Sequence, residues 1–375
     1  MTLRRRATLL LALLLLAAVP ATATATTTPA PEVVAEGLAN PRGLAIGHRG
    51  VVWVTEAGIG GAEEVPSPPL FGPGPSFRGD SGRLVRIDRR GRLRIVADGL
   101  PSIALGGFEV IGPSRVVLAD GRAWVVTGFA HEVLSPRQGE AAVLRIHPRT
   151  GAVAVAADIG AVERATDPDG FGVESDLNGL ALAPRGELHV ADAGGNALYR
   201  VDRRTGAVRL VTVFTGLPSA LPNPSRGGAF ELDPVPTGVA SGPDGGAYVG
   251  LLSGFPFPSG GAQVVRVAPD GAVTTVADGL TTVVDLAFGR DGALYVLEFA
   301  SGFDLGPEAQ GWRRSTGRIL RVAADGSRRV MADGLDQPFG MAIDRRGDVY
   351  VTERTNTTPA EGAQGRVLRF RGLAR

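Results

Sequence analysis

The chain has 375 residues, 39 of them basic and 38 acidic, for a formal charge of +1. That balance offers no electrostatic footprint for nucleic acid or an anionic membrane. Cysteine and lysine are both absent, which excludes disulfides, thiol nucleophiles, thiolate metal ligands and lysine Schiff bases.

At the N-terminus, Arg4-Arg5-Arg6 precedes an apolar run from Ala7 to Val19, then Pro20 and alternating Ala and Thr. A basic start, a short apolar core and a small-residue A-x-A site predict a secretory signal peptide over 1–25. The run is too short to span a bilayer, and no second apolar stretch approaches the roughly 20 residues a transmembrane helix needs. No cysteine follows for lipidation. The expected product is soluble, unanchored, and secreted or periplasmic. Its charge is −2, because three positive charges leave with the signal peptide. Residues 26–32 form a Thr/Pro tether, and 33–375 a single domain.

One phrase then recurs six times. The first strand appears as Gly43 to Ile46, Arg115 to Leu118, Gly179 to Leu182, Gly238 to Ala240, Asp285 to Phe288 and Gly340 to Ile343. A second strand follows at Val51 to Thr55, Ala123 to Thr127, Glu187 to Ala191, Ala247 to Gly250, Ala293 to Leu297 and Asp348 to Thr352. The third strand carries one arginine per copy: Arg86, Arg145, Arg200, Arg266, Arg321 and Arg369. A fourth ends in Asp98-Gly99-Leu100, Asp278-Gly279-Leu280 or Asp333-Gly334-Leu335. Asp-Gly pairs between β-rich runs mark hairpins. Repeated four-strand units with both faces apolar predict an all-β, six-bladed β-propeller. The last copy stops after its third strand, while Val33 to Leu38 matches the fourth-strand consensus. That orphan strand is expected to complete the last blade and close the ring.

Long insertions occupy only two loop classes. Second-to-third loops are Ala57 to Ser81, Gly128 to Glu140, Leu251 to Gly261, Phe299 to Thr316 and Arg354 to Gly365; fourth-to-first loops are Asp158 to Leu177 and Phe214 to Pro236. In an up-and-down blade both classes emerge on one face, which becomes the expected binding face.

The stretch Val235-Pro236-Thr237-Gly238-Val239, through Leu252-Ser253-Gly254-Phe255-Pro256-Phe257-Pro258, to Asp285-Leu286-Ala287-Phe288 resembles the ScyD/ScyE family. Leu188 to Asn196 is similar to that family's motif in the preceding blade, and the repeat phrase resembles NHL-type propellers. The resemblance implies an exported propeller, associated in some bacteria with production of the pigment scytonemin. It implies no reaction and no catalytic residues.

Candidate site residues fall in three groups. The second strands end in Glu56, Thr127, Asp192, Leu251, Glu298 and Glu353. Four acids there could ring a channel mouth and hold Ca²⁺ through oxygen; the plainer reading is that each caps backbone N–H groups of the following loop. The inner-strand entrances read Arg42, Ser114, Asn178, Thr237, Val284 and Phe339, and the fifth copy replaces glycine with Asp285. Asn178 and Asp285, joined by Arg42, resemble the Ca²⁺ ligands of six-bladed lactonases related to gluconolactonase, although Arg42 stands where those enzymes have Glu. Asp167-Pro168-Asp169-Gly170 with Glu174, Asp176 and Asn178 gathers oxygen donors without EF-hand spacing, either a Ca²⁺-ordered loop or a solvated acidic one.

The remaining features are weaker. One arginine per blade suits inter-blade packing better than anion binding. His48, His131, His147 and His189 lie in unrelated contexts, and of these only His131 stands on the elaborated face as a candidate base. Leu70, Phe71 and Phe77 among the prolines of loop Ala57 to Ser81, with Phe255 and Phe257, form apolar lips suited to a lid or a partner contact. The expected function is an exported binding or scaffold propeller taking a small molecule or protein on the loop-rich face, with no nucleic acid and no membrane anchor. The alternative is a Ca²⁺-dependent lactonase-like hydrolase using Asn178 and Asp285.

Overall fold

A computed structural model of the chain describes residues 30–68, 74–223, 226–306, 309–356 and 361–375. The signal peptide and residues 26–29 of the tether lie outside this set. So do Pro69, Leu70, Phe71 and Pro73 of the proline-rich loop.

The chain is mostly β. Its described strands form five four-stranded sheets, one six-stranded sheet and three two-stranded ladders. Each large sheet is an antiparallel meander of one repeat. In the third repeat, for example, Leu177–Leu182, Glu187–Asp192, Ala197–Asp202 and Val208–Val213 pair in chain order. The first repeat adds Glu63–Val65 and Glu109–Ile111 to its meander. In the last repeat, Met341–Ile343, Val349–Glu353 and Gly365–Phe370 are joined by Glu32–Leu38 from the other end of the chain. That strand runs antiparallel to Gly365–Phe370, with Glu32 opposite Arg369 and Leu38 opposite Gly365.

The core lies between the sheets. Trp124, Val126 and Val143 of the second repeat pack with Leu180, Leu188 and Tyr199 of the third. The same sharing joins third to fourth, fourth to fifth, fifth to sixth and first to second. Leu38, Tyr350 and Val367 of the last sheet pack with Leu44, Val54 and Val85 of the first. Middle strands therefore bury both faces, as at Ala197, Leu198 and Tyr199, and read as apolar runs rather than alternating ones. Each fully buried Leu or Val stabilises by roughly 1.5–3 kcal/mol. Fourth strands lie at the sheet edge and expose apolar side chains such as Ile95, Val273 and Val330.

First strands approach one another so closely that side chains are excluded. A Cβ on Gly179 would stand 2.2 Å from the Thr237 carbonyl oxygen, and one on Gly340 would stand 2.4 Å from that of Arg42. The α-helix and the extra ladders fall in the two long loop classes: the helix Ile159–Thr166 and the ladders Ala130–His131 with Glu174–Ser175, Leu217–Asn223 with Ala229–Leu232, and Phe303–Gly306 with Ala309–Trp312. The segment from Pro101 to Ile111 belongs with them, an insertion the repeat pattern did not reveal. Among the described residues no helix is long and apolar enough to cross a membrane.

Candidate functional site

The first strands meet around two side chains. Where four repeats have glycine, the second has Arg115 and the fifth Asp285, both buried. Arg115 donates from Nη2 to the Val284 carbonyl at 2.6 Å, and its Nε lies 3.9 Å from Asp285 Oδ2. Asp285 also accepts from the backbone N–H of Leu286 at 2.9 Å and of Met341 at 2.7 Å. Burial pushes the Asp285 carboxyl up against the opposing pull of Arg115, and the same burial pushes Arg115 down. Arg115 thus connects the second sheet to the fifth and sixth. The glycines elsewhere leave room for it.

Next to this pair lies a second polar group, a mouth formed by the first strands and the loops that enter them. Arg42 and Arg115 each place a guanidinium 4.4 Å from the Phe339 ring centroid, a cation–π arrangement that strengthens when desolvated. Arg42 then donates to Glu109 Oε1 at 2.9 Å and to the Val110 carbonyl at 2.6 Å. Asn178 Nδ2 donates to Asp176 Oδ2 at 2.8 Å. The other oxygen, Asp176 Oδ1, is buried without a hydrogen-bond partner, against the rule that buried polar atoms are satisfied. Burial raises the Asp176 carboxyl well above its ordinary range; Glu109, Asp192 and Glu174 add to the shift, while Arg42 opposes it.

Aromatic residues gather beside the mouth. Phe108, adjacent to Glu109, has its ring 6.2 Å from Phe303, and its carbonyl accepts from Asn356 Nδ2 at 2.9 Å. Phe303 is 5.0 Å from Trp312 and 5.7 Å from Phe257, and Phe255 lies 6.1 Å from Phe303. Loops of the first, fourth, fifth and sixth repeats therefore converge there. Phe255 stays 47% exposed, so the cluster is open to solvent on one side.

The four acids of the second-strand column do not converge on one point. Each is buried and accepts a backbone N–H from the loop that enters its own sheet: Glu56 from Ala39 at 2.6 Å, Asp192 from Asp176 at 2.8 Å, Glu298 from Thr281 at 2.8 Å and Glu353 from Asp336 at 3.2 Å. For Glu56, Glu298 and Glu353 the capped loop is the preceding one, not the following one as the sequence suggested, because that loop runs alongside the strand end; Asp192 caps both, taking the Gly195 N–H of the following loop at 3.3 Å as well. Glu56, Glu298 and Glu353 also pair with Arg83, Arg318 and Arg366, which lie directly opposite on the third strand. Asp192 faces Ala197 instead and takes a bond from Ser175 Oγ at 2.6 Å. Without an arginine, burial raises its carboxyl to about 6.

Four of the recurring third-strand arginines, Arg200, Arg266, Arg321 and Arg369, bond within their own sheets, which corrects the inter-blade expectation for these. Arg321 pairs with Asp291 and Arg369 with Asp348, and Arg200 donates to His189. Each recurring arginine faces an aromatic or imidazole ring on the second strand, from Trp53 opposite Arg86 to Tyr350 opposite Arg369. Thr237 bridges neighbouring first strands, its hydroxyl donating to the Val283 carbonyl at 2.7 Å. His131 Nδ1 accepts from the Val133 N–H at 3.2 Å. Arg115 and Glu109 were missed as site residues. The signal for Arg115 was present, a charged residue at a glycine position of the repeat; Glu109 lies outside any repeated phrase.

A groove of about 1080 Å³ opens on the opposite, plain face where first and last sheets meet, walled by short-turn residues such as His48, Arg89, Asp344 and Arg345. Arg89 bonds the Arg49 carbonyl, and Asp344 bonds the N–H groups of Arg346 and Asp348. These are hairpin contacts, so the mouth carries the stronger case for a site.

No family model matches the sequence, and no curated protein matches it. Solved structures do resemble it. One is a structural genomics protein of unknown function from Bacteroides thetaiotaomicron, 13% identical at a TM-score of 0.54 over 88% of this chain and 70% of that one. Another is a putative oxidoreductase (glucose dehydrogenase) from Thermus thermophilus, 18% identical at a TM-score of 0.50 over 91% of this chain and 99% of that one. A streptogramin B lyase is 12% identical at a TM-score of 0.45 over 89% of this chain and 93% of that one. At such identities the likeness is one of fold, and the shared fold is the β-propeller.

Proposed function

We propose that this chain is an exported six-bladed β-propeller that binds a small molecule at the mouth of its central channel. The six meanders supply the blades, and Glu32–Leu38 closes the ring by completing the last one. Support comes from the shared apolar clusters, which link every sheet to the next and the sixth back to the first. Export rests on the basic and apolar character of residues 1–25. The ScyD/ScyE resemblance of the Gly254-Phe255-Pro256-Phe257-Pro258 segment agrees with such a role outside the cytoplasm.

The observation that carries the binding reading is the buried, unpartnered Asp176 Oδ1, on a carboxylate that feels both members of the Arg42–Glu109 pair, with the aromatic cluster reached from Glu109 through its neighbour Phe108. An acceptor held in this way calls for a donor from a ligand. The fitting chemistry is an aromatic or apolar body carrying an amine or hydroxyl. A lactonase-type metal at Asn178 and Asp285 has less support. Both Asp285 oxygens are engaged by N–H groups, with the Arg115 guanidinium adjacent.

Calorimetric titration with tyramine and with 4-hydroxyphenylacetate tests the reading. The amine is expected to bind with Kd below about 1 mM, and Asp176→Asn to weaken it at least tenfold. Equal binding of amine and acid, or an undiminished Asp176→Asn variant, would overturn it.

A further inference from the structure

Away from the mouth, three carboxylates meet at the end of the only α-helix among the described residues. Ile159–Thr166 is capped at its start by Asp158, whose side chain accepts from the Ala161 N–H, and it ends at Asp167 in the left-handed region at φ 37°. Ligand-capable oxygens of Glu163, Asp167 and Asp169 all lie within 4.8 Å of one another. Two oxygens bound to one Ca²⁺ at about 2.3–2.6 Å are at most about 5 Å apart, so all three can touch one ion of that size.

A second observation points to a ligand. Glu163 is 0% exposed; its Oε2 meets the Tyr199 hydroxyl at 3.3 Å, and its Oε1 is buried with no hydrogen-bond partner. Among the described residues no arginine forms an ion pair with Glu163, Asp167 or Asp169, although Arg226 stands near enough to favour the charged form of Asp169. The guanidinium of Arg226 is engaged by Asp233 at 2.7 Å and lies over Phe171. The carboxylates also collect at a helix C-terminus, the electronegative end of its dipole, which disfavours anions and favours a cation. Burial, Asp192 and Asp169 together raise the Glu163 carboxyl to about 8.

The loop is shaped to hold these oxygens. Asp167 Oδ1 accepts the N–H groups of Gly170 at 3.1 Å and Gly172 at 3.3 Å. Asp169 takes the Phe171 N–H at 3.1 Å and the Asn196 side-chain amide at 2.8 Å. A Cβ on Gly195 would stand 2.9 Å from Glu163 Oε2, so glycine lets the neighbouring turn close over the cluster.

We infer that Glu163, Asp167 and Asp169 form a Ca²⁺ site that ties the helix to the following loop. An all-oxygen donor set on a loop suits a hard cation, and water or carbonyl oxygens complete the coordination. The site is independent of the small-molecule reading. It fastens the segment that runs on to Asp176 and Asn178, so it also fixes one wall of the mouth.

The test is thermal unfolding of the full exported chain, stripped with EDTA and titrated with CaCl₂ or MgCl₂ at constant ionic strength. Ca²⁺ is expected to raise Tm by about 4 °C at a hundredfold excess over Kd, with Mg²⁺ giving less. Glu163→Gln should abolish the Ca²⁺ shift while unfolding at a higher temperature than the wild type in EDTA, since one repelling carboxylate is gone. Should Glu163→Gln fail to fold, Asp169→Asn makes the same comparison, with at least tenfold weaker Ca²⁺ binding expected. The site is refuted by the absence of a saturable Ca²⁺ shift, by an equal response to Mg²⁺, or by a foldable variant that keeps the wild-type shift. Failure of tyramine binding would leave these outcomes unaffected.

Discussion

Arg115 and Asp285 sit at equivalent positions of the second and fifth repeats, and they meet where the first strands converge, with 3.9 Å between Nε and Oδ2. Both side chains are nearly free of solvent contact. A buried charge that loses its partner costs about 3–5 kcal/mol. Arg115→Met and Asp285→Asn are each expected to destabilise by that order. The double variant should cost less than the sum of the two, as denaturant unfolding in a double-mutant cycle would report. Additive losses would mean that the two groups do not interact.

The last sheet predicts what removal of its outer strand does. Without residues 30–38, Gly365–Phe370 becomes an unprotected edge with Val367 and Leu368 uncovered, and the shared cluster loses Leu38. A chain lacking these residues should be less stable by about 5 kcal/mol or more and should self-associate, as light scattering would detect.

His189 should tune stability with pH. It is buried; Arg200 Nε donates to its Nε2 at 3.1 Å, and its Nδ1 faces Ser241 Oγ at 3.5 Å. Burial, Arg200 and Arg209 depress its pKa to about 4. A depressed folded-state value stabilises above the unfolded value near 6.5, and that contribution is lost as pH falls towards 4. The stability of wild type relative to His189→Gln should therefore shrink by roughly 2–3 kcal/mol between pH 8 and pH 4.5. A constant difference would show that the ring is not held neutral.

Asp176 has the opposite sign. Its carboxyl is raised in the folded state, so its contribution is present at low pH and lost as pH rises. Asp176→Asn is expected to stabilise the free protein at pH 8 by about 1–2 kcal/mol, and to leave it nearly unchanged at pH 4. Thermal unfolding at the two values checks this. A gain in stability joined to a loss of ligand binding is the pattern of a functional group held against its own preference.

The strands and the third-strand arginines were readable because each recurs with one local phrase, and local phrases determine meanders. Their partners were also present in the sequence: a ring at each opposing second-strand position, from Trp53 to Tyr350. That pairing places the arginines inside their own sheets. The mouth was only partly readable. Arg42 and Asn178 stand where the repeat puts them, but Glu109 and Asp176 come from insertions whose course depends on tertiary packing. Of the acids at the second-strand ends, Asp192 does cap the following loop, but Glu56, Glu298 and Glu353 cap the preceding one, because sequence order does not show that this loop returns alongside them. Glu163 carried no motif signal; it becomes a site residue only through the helix turn that brings it to Asp167.

The pairing of Glu32 with Arg369 also bears on biogenesis. The two strands stand far apart in the chain, and Arg371 bonds Glu32 across the same seam, 339 positions away. Such non-local pairing slows folding, and until it forms the nascent product keeps two sticky borders. Loss of either strand would strand both borders at once.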